Sequence, residues 1–349
     1  MGRMGREVSA FLDLVRLLAA IAVFLSHASW QDHTGGLFWQ LNTIGREAVD
    51  VFFVLSGFVI GQAAQGRTAR DYAVSRLARV YSVALPALVL TWVLDGVGRS
   101  VRPGLYHGFC CDQGGAPVWQ MLRNAVFAGN VWSAEVSPGS DIPYWSLGFE
   151  AWYYLAFGLM MFLPRGWGRV GAVGAMVVAG PGIAVLFPLW LLGVWCGGRR
   201  VPGAAGWMAL GGGLAGVVVL AVFQRRMGQI YDPFSLTPGR LMDYAQDYGA
   251  GGCFAVALVG IQSVGPGVTW LAGRMGFVRW AAGATFALYL FHVPLIRVIA
   301  ATSPWAVGDW RTRGMVVIGV PLVVLVLAEV TERRKQAWRK GLQWVMGGV

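Results

Sequence analysis

The side chains that could do chemistry lie inside apolar sequence. The run from Phe11 to His27 reads FLDLVRLLAAIAVFLSH and carries Asp13, Arg16 and His27. On a helix Arg16 and His27 stand about three turns, or roughly 16 Å, apart and project from nearly the same face. Asp13 sits one turn before Arg16 and can pair with it. A second run opens Gly45-Arg46-Glu47-Ala48-Val49-Asp50 and continues VFFVLSGF. A third begins Pro143-Tyr144-Trp145-Ser146-Leu147-Gly148-Phe149-Glu150 and goes on through Tyr153 and Tyr154. His292 lies in a fourth, and Arg76 and Arg79 precede an apolar run that starts at Val80. A charge at the bilayer centre costs at least about 2.5 kcal/mol on insertion scales, so ionisable groups at that depth point to function. An imidazole takes a proton from a hydroxyl near neutral pH, and a carboxylate beside it orients it and stabilises its charged form. Guanidinium forks suit phosphates.

Such groups must be held by membrane-spanning elements, and the composition requires those. Hydrophobic residues make up 56% of the 349 and charged residues only 13%, too little charge to cover a soluble globule of this size. The 50 Gly and 17 Trp also fit a polytopic membrane protein. About 20 apolar residues cross about 30 Å of hydrocarbon. Ten stretches are candidates: 10–30, 47–65, 80–98, 144–164, 168–182, 183–198, 205–223, 248–266, 282–300 and 312–330. Gly180-Pro181-Gly182 divides the fifth from the sixth; as a single helix they would reduce the count to nine. The expected fold is an all-α transmembrane bundle, one membrane-embedded domain over 1–349 ending in a basic tail at 331–349.

The net charge of +11 would suggest nucleic acid in a soluble chain. Here the cations lie between apolar runs, so they encode orientation, and nucleic-acid binding is not expected. With ten spans and both termini inside, inner segments such as 65–79, 165–169, 199–200 and 331–340 hold about twice the cations of the outer ones, as the positive-inside rule asks. Both termini are therefore expected in the cytoplasm. His27, Asp50 and Glu150 then fall within about 10 Å of the outer boundary, while Arg16, Arg76 and Arg79 lie in the inner half or at the inner face. The segments 99–143 and 224–247 face outward; the first includes an apolar piece, Trp119 to Trp132, too short to span. Cys196 and Cys253 lie inside apolar runs, Cys110 and Cys111 match no spaced ligand motif, and no metal is expected.

In these motifs the chain resembles the membrane-bound acyltransferase family 3, whose bacterial members O-acylate sugars and other hydroxyl compounds. The family's Arg-x10-His pattern is matched by Arg16 and His27, preceded by Asp13. Segment 45–58 is similar to its Gly-x-x-x-Val-Asp-x-Phe-Phe-Val-Leu-Ser-Gly-Phe signature, and Arg76 and Arg79 to its Arg-x-x-Arg. Trp145, Ser146, Leu147 and Glu150 match Trp-Ser-Leu-x-x-Glu, and Tyr289, Leu290, His292 and Pro294 match Tyr-Leu-x-His-x-Pro. All five occur in the family's order across residues 11–294. The chain departs from the family at Leu14-Val15 and at Gly148-Phe149.

The resemblance implies an O-acyltransferase of the bacterial inner membrane. It would move an acyl group, expected to be acetyl, from cytoplasmic acyl-coenzyme A to a hydroxyl of an extracytoplasmic carbohydrate. By it His27 is the general base with Arg16 beside it, Arg76 and Arg79 engage the donor, and Glu150 supports the acceptor side. Asp50 is a further catalytic candidate, and Trp145, Ser146, Tyr153 and His292 are expected to bind substrate. Direct attack is expected, since no Ser or Cys sits in a recognisable nucleophile elbow. Two other classes remain open: a transporter or flippase of a polysaccharide export system, for which broken helices and buried charges are equally natural, and a non-enzymatic subunit of such an assembly.

Overall fold

Lipid leaves backbone polar groups no partner outside their own segment, so long apolar runs become helices. The computed structural model describes residues 5–107, 116–227, 240–268, 273–345 and 347, and no strand occurs among them. Arg3, Cys110, Cys111 and Asp232 lie outside the described residues, as do the side chains of Arg225, Arg226 and Arg240. In chain order the helices are α1 (Arg6–Ala28), α2 (Gln31–Thr34), α3 (Gly45–Ala64), α4 (Ala69–Val101), α5 (Pro117–Ala125), α6 (Tyr144–Phe162), α7 (Arg165–Ala179) and α8 (Pro181–Cys196). There follow α9 (Ala204–Met227), α10 (Arg240–Val264), α11 (Gly276–Ala282), α12 (Thr285–Thr302), α13 (Trp310–Gly314), α14 (Val320–Val330) and α15 (Lys335–Val345).

All ten stretches picked out from the sequence are helical. Six are both long and apolar enough to cross a membrane: α1, α3, α4, Ala204–Phe223 of α9, α12, and the continuous stretch Trp310–Val345. This makes the chain a multi-pass membrane protein. The other four are short or more polar. α7 and α8 have 15 and 16 residues and are separated by Gly180 at φ +91°, where a side chain would meet Trp132. α6 carries Ser146 and Glu150, and α10 carries Asp243 and Asp247. The last apolar stretch passes through a π-helical turn at Met315–Gly319.

The helices form two compact units interleaved along the chain. The first holds residues 1–26, 43–65 and 186–285, the second residues 27–42, 66–185 and 286–349. In the first unit α10 packs on α9 and α3. There α3 also meets α8 so closely that a Cβ on Gly57 would lie 1.9 Å from the Trp190 carbonyl oxygen, and one on Gly193 1.9 Å from that of Val54. Small residues allow such backbone contact between membrane helices. Ser56, the neighbour of Gly57 in the sequence signature, accepts the Trp190 indole N–H at 3.2 Å.

In the second unit α6 packs on α7 and α4, and α15 lies along α4. Residues 331–349, read from sequence as a basic tail, thus carry a packed helix. Just before it, the buried Glu332 accepts the backbone N–H groups of Phe286 and Ala287, each at 3.0 Å. Its carboxylate caps the amino end of α12, where the helix dipole favours negative charge.

Candidate active site

The second unit brings together two histidines 265 positions apart in the chain. His27 is the penultimate residue of α1, half-buried, and His292 lies in α12 with no exposed surface. Their rings are 5.1 Å apart and tilted by 53°, with His292 Nε2 at 3.1 Å from His27 Nδ1. The Leu288 carbonyl, one turn back in α12, lies 2.8 Å from His292 Nδ1. A carbonyl oxygen only accepts, so His292 Nδ1 carries the hydrogen and neutral His292 has its lone pair at Nε2. That lone pair takes the hydrogen of His27 Nδ1. The lone pair of neutral His27 is thereby left at Nε2, the disposition of a general base whose conjugate acid is stabilised from behind.

A third imidazole completes the group. His33, in the single turn of α2, donates Nδ1–H to the His27 carbonyl at 2.6 Å, and Trp30 stacks on its ring at 5.2 Å. Trp30 also tilts against His27 at 5.0 Å. Burial pushes the His33 imidazole down to about 3, with Arg297 nearby adding to the effect, so it stays neutral. The sequence reading did not single out His33; its available signal was a histidine six residues after His27 in a turn with a tryptophan.

Near this group the motif residues of α6 are distributed unequally. The buried Ser146 hydroxyl lies 2.6 Å from the Tyr289 hydroxyl, one turn before His292 on α12. Trp145 is half-buried, set edge-on against Phe149 at 5.0 Å. Tyr153 is sealed inside and donates to the Ile183 carbonyl at 2.8 Å, which ties α6 to the start of α8. Glu150 accepts the Tyr154 hydroxyl at 2.5 Å, and the Arg76 guanidinium stands 5.9 Å from the Tyr154 ring. One tyrosine thus links an expected acceptor residue to an expected donor residue, which their separation in sequence did not suggest.

Arg79 does not stand alone either. It pairs with Glu332 at 2.9 Å and lies over the Phe286 ring at 5.3 Å, so the carboxylate that caps α12 also holds this guanidinium. Sequence reading missed Glu332 because it precedes Arg333-Arg334-Lys335 and is lost among cations. It missed Asp141 too, a carboxylate with no exposed surface just before α6.

Arg16 and Asp50 belong to the first unit. There Arg16 pairs with Asp13 at 3.1 Å, the contact their spacing predicts. Asp50 lies buried in α3 within a hydrogen bond of Asp247 on α10. Buried Arg46 donates to Asp247 at 2.6 Å and to the Asp243 backbone carbonyl at 2.5 Å. This ionic group ties α3 to α10.

A family profile described as an acyltransferase domain matches residues 9–328. The chain is 28% identical to acyltransferase MdmB of Streptomyces mycarofaciens over 188 residues, 50% of this chain and 46% of that protein. It therefore spans about half the length of that relative. It is 25% identical to the exopolysaccharide production protein ExoZ of Rhizobium meliloti (strain 1021) over 286 residues, 74% of this chain and 78% of that one. No solved structure matches the chain.

Proposed function

The chain belongs to acyltransferase family 3, and we propose that it is an inner-membrane O-acyltransferase. It moves an acetyl group from cytoplasmic acetyl-coenzyme A to a hydroxyl of a carbohydrate on the other side of the membrane. The observation that carries this reading is the hydrogen-bonded series His27, His292, Leu288 carbonyl, which presents a basic nitrogen at His27 Nε2. The acceptor's O–H bond breaks with its proton passing to His27 Nε2, and the oxygen attacks the thioester carbonyl. The new C–O bond forms, the C–S bond breaks, and the coenzyme A thiolate takes up the proton as His27 returns to neutral.

Arg76 and Arg79 supply guanidinium groups for the donor's phosphates. A phosphate at Arg79 would share that group with Glu332 or displace it. The carbohydrate acceptor takes its support from the similarity to the exopolysaccharide production protein of Rhizobium meliloti. Glu150, Trp145, Ser146 and Tyr153 complete the proposed set of site residues in the second unit, and Arg16 and Asp50 stay separate candidates within the first.

Purified protein, reconstituted and given acetyl-labelled coenzyme A, tests the reading with His27→Ala. The variant should keep its monodisperse elution and lose at least about 100-fold in acetyl transfer, the usual scale of a positioned general base. Transfer at the wild-type rate would remove His27 as the base. Export of an unmodified glycan that depends on this chain but not on His27 would favour the transporter class.

A further inference from the structure

Among the buried polar side chains of the second unit, His33 and Asp141 carry acceptors without the donors they need. His33 Nε2 and both carboxylate oxygens of Asp141 are sealed from solvent, and none has a hydrogen bond of good geometry from a described side chain. The backbone N–H of Tyr144 comes within reach of the Asp141 carboxylate, though not in good hydrogen-bond geometry. An unmatched buried polar group costs about 1–3 kcal/mol, more if charged, and such a group in a native structure has a reason: stored strain, a catalytic role, or a bound partner such as water, an ion or a ligand.

Both groups are held firmly. His33 is fixed through Nδ1 to the His27 carbonyl and by the Trp30 ring. Asp141 follows Ser140, whose N–H and hydroxyl both donate to Asp95 of α4, at 2.8 and 2.5 Å. His33 bonds the His27 carbonyl of the reaction centre, and Asp141 precedes α6, whose Ser146 hydroxyl lies 2.6 Å from that of Tyr289. His33 is within electrostatic reach of His292, and Asp141 within reach of Tyr289, one turn before it.

Backbone strain is concentrated in the same places. Among the described residues four non-glycines have positive φ: Phe38 at 60°, Phe127 at 57°, Trp132 at 52° and Glu135 at 48°. Phe38 lies in the connection that carries His33, and the other three lie in the connection between α5 and α6 that carries Asp141. Residues held this way persist where a site over-determines them, ligand clamps among others.

The missing partner must offer hydrogens. A cation is disfavoured, because Arg297 lies within electrostatic reach of both His33 and Asp95. A phosphate is disfavoured because neither the neutral His33 ring nor the Asp141 carboxyl offers it a positive charge. Neutral hydroxyls fit. We propose that His33 and Asp141 bind the acceptor substrate, taking hydroxyl hydrogens of a sugar and presenting a neighbouring hydroxyl to His27. The inference rests on the acyltransferase reading and deepens its acceptor side. Sugar entry requires the connection between α5 and α6 to open, since both groups are sealed.

The test uses the full-length protein in detergent with saturating acetyl-labelled coenzyme A and, as acceptor probes, the methyl glycosides of glucose, galactose and mannose. For the best probe, Asp141→Asn and His33→Gln should each raise the acceptor KM by at least about tenfold. The donor KM should stay unchanged and kcat should remain within about threefold, the pattern of lost ground-state binding. The glycoside should raise the thermal midpoint of the wild type and not of either variant, a readout that survives if a variant's own stability changes. Acceptor KM values and glycoside-induced shifts equal to wild type in both variants would overturn the assignment while leaving a His27-dependent transferase intact. A wild type that neither acetylates nor responds to any of the glycosides would overturn it as well. Transfer that persists in His27→Ala would instead remove His27 as the base that the acyltransferase reading names.

Discussion

The Leu288 carbonyl oxygen determines which nitrogen of His27 is basic, and that residue appears in no motif. His27 and Arg16 were legible as functional candidates because ionisable groups are conspicuous in apolar sequence. Their partners were not: the pairing of His27 with His292 depends on where α12 comes to lie. His33 was passed over because it sits in a polar-looking turn, where a histidine carries no cost until the structure buries it. That burial has a measurable sign. The imidazole has its folded value at about 3 against 6.5 when unfolded, so protons bind the unfolded chain first. Stability should be fully present above pH 6.5 and fall by about 1.4 kcal/mol per pH unit as pH drops from 6.5 toward 3. His33→Gln lacks this titration. Thermal midpoints in detergent between pH 6.5 and 4 should therefore fall more steeply for wild type than for the variant, and parallel curves would show that the ring is solvated. Asp141 acts with the opposite sign. Burial, with Asp95 adding, pushes its carboxyl well above the usual range, so it lowers stability as pH rises.

Helices followed apolar content wherever the run was long. The turn at Gly180-Pro181-Gly182 ends α7 and starts α8, as its residue types require. The signature around Asp50 changes meaning at this scale: Ser56 and Gly57 form a helix crossing, with Ser56 bound to the Trp190 indole and Gly57 against its carbonyl. Gly57→Ala should therefore force α3 and α8 apart and cost about 1–3 kcal/mol, the range for overpacking a close contact. Gly174→Ala in α7 is the control, because nothing lies within 4 Å of its added carbon. It should leave stability unchanged or raise it by up to about 1 kcal/mol through helix propensity. Thermal unfolding of the two variants in one detergent checks this, and equal effects would dismiss the crossing as a constraint. Glu332 likewise acts between elements, capping α12 while pairing with Arg79.

The whole chain carries its excess of cations on one side of the bilayer if both termini are cytoplasmic. That orientation predicts the accessibility of single cysteines in a background whose native cysteines are replaced by serine. Trp119→Cys, exposed in α5, should react with a membrane-impermeant maleimide in intact cells, and Arg67→Cys, exposed before α4, only after the membrane is opened. The reverse pattern would invert the protein and place the proposed acceptor site on the cytoplasmic side. The chain also folds as two interleaved units, a division that no composition shift marks. Each unit is assembled from segments distant in sequence, so its boundaries follow packing.

What the sequence determined by itself was the medium, the helical class and the short set of side chains expensive enough in lipid to need a reason. These follow from the cost of moving polar groups out of water, which depends on residue type and run length alone. Only the tertiary structure decided the partners: His292 behind His27, Glu332 on Arg79, Tyr154 between Glu150 and Arg76, and the unmatched acceptors His33 and Asp141. Hydrogen-bond partners are a matter of ångströms between elements, and whether a buried group finds one is settled only when the helices pack.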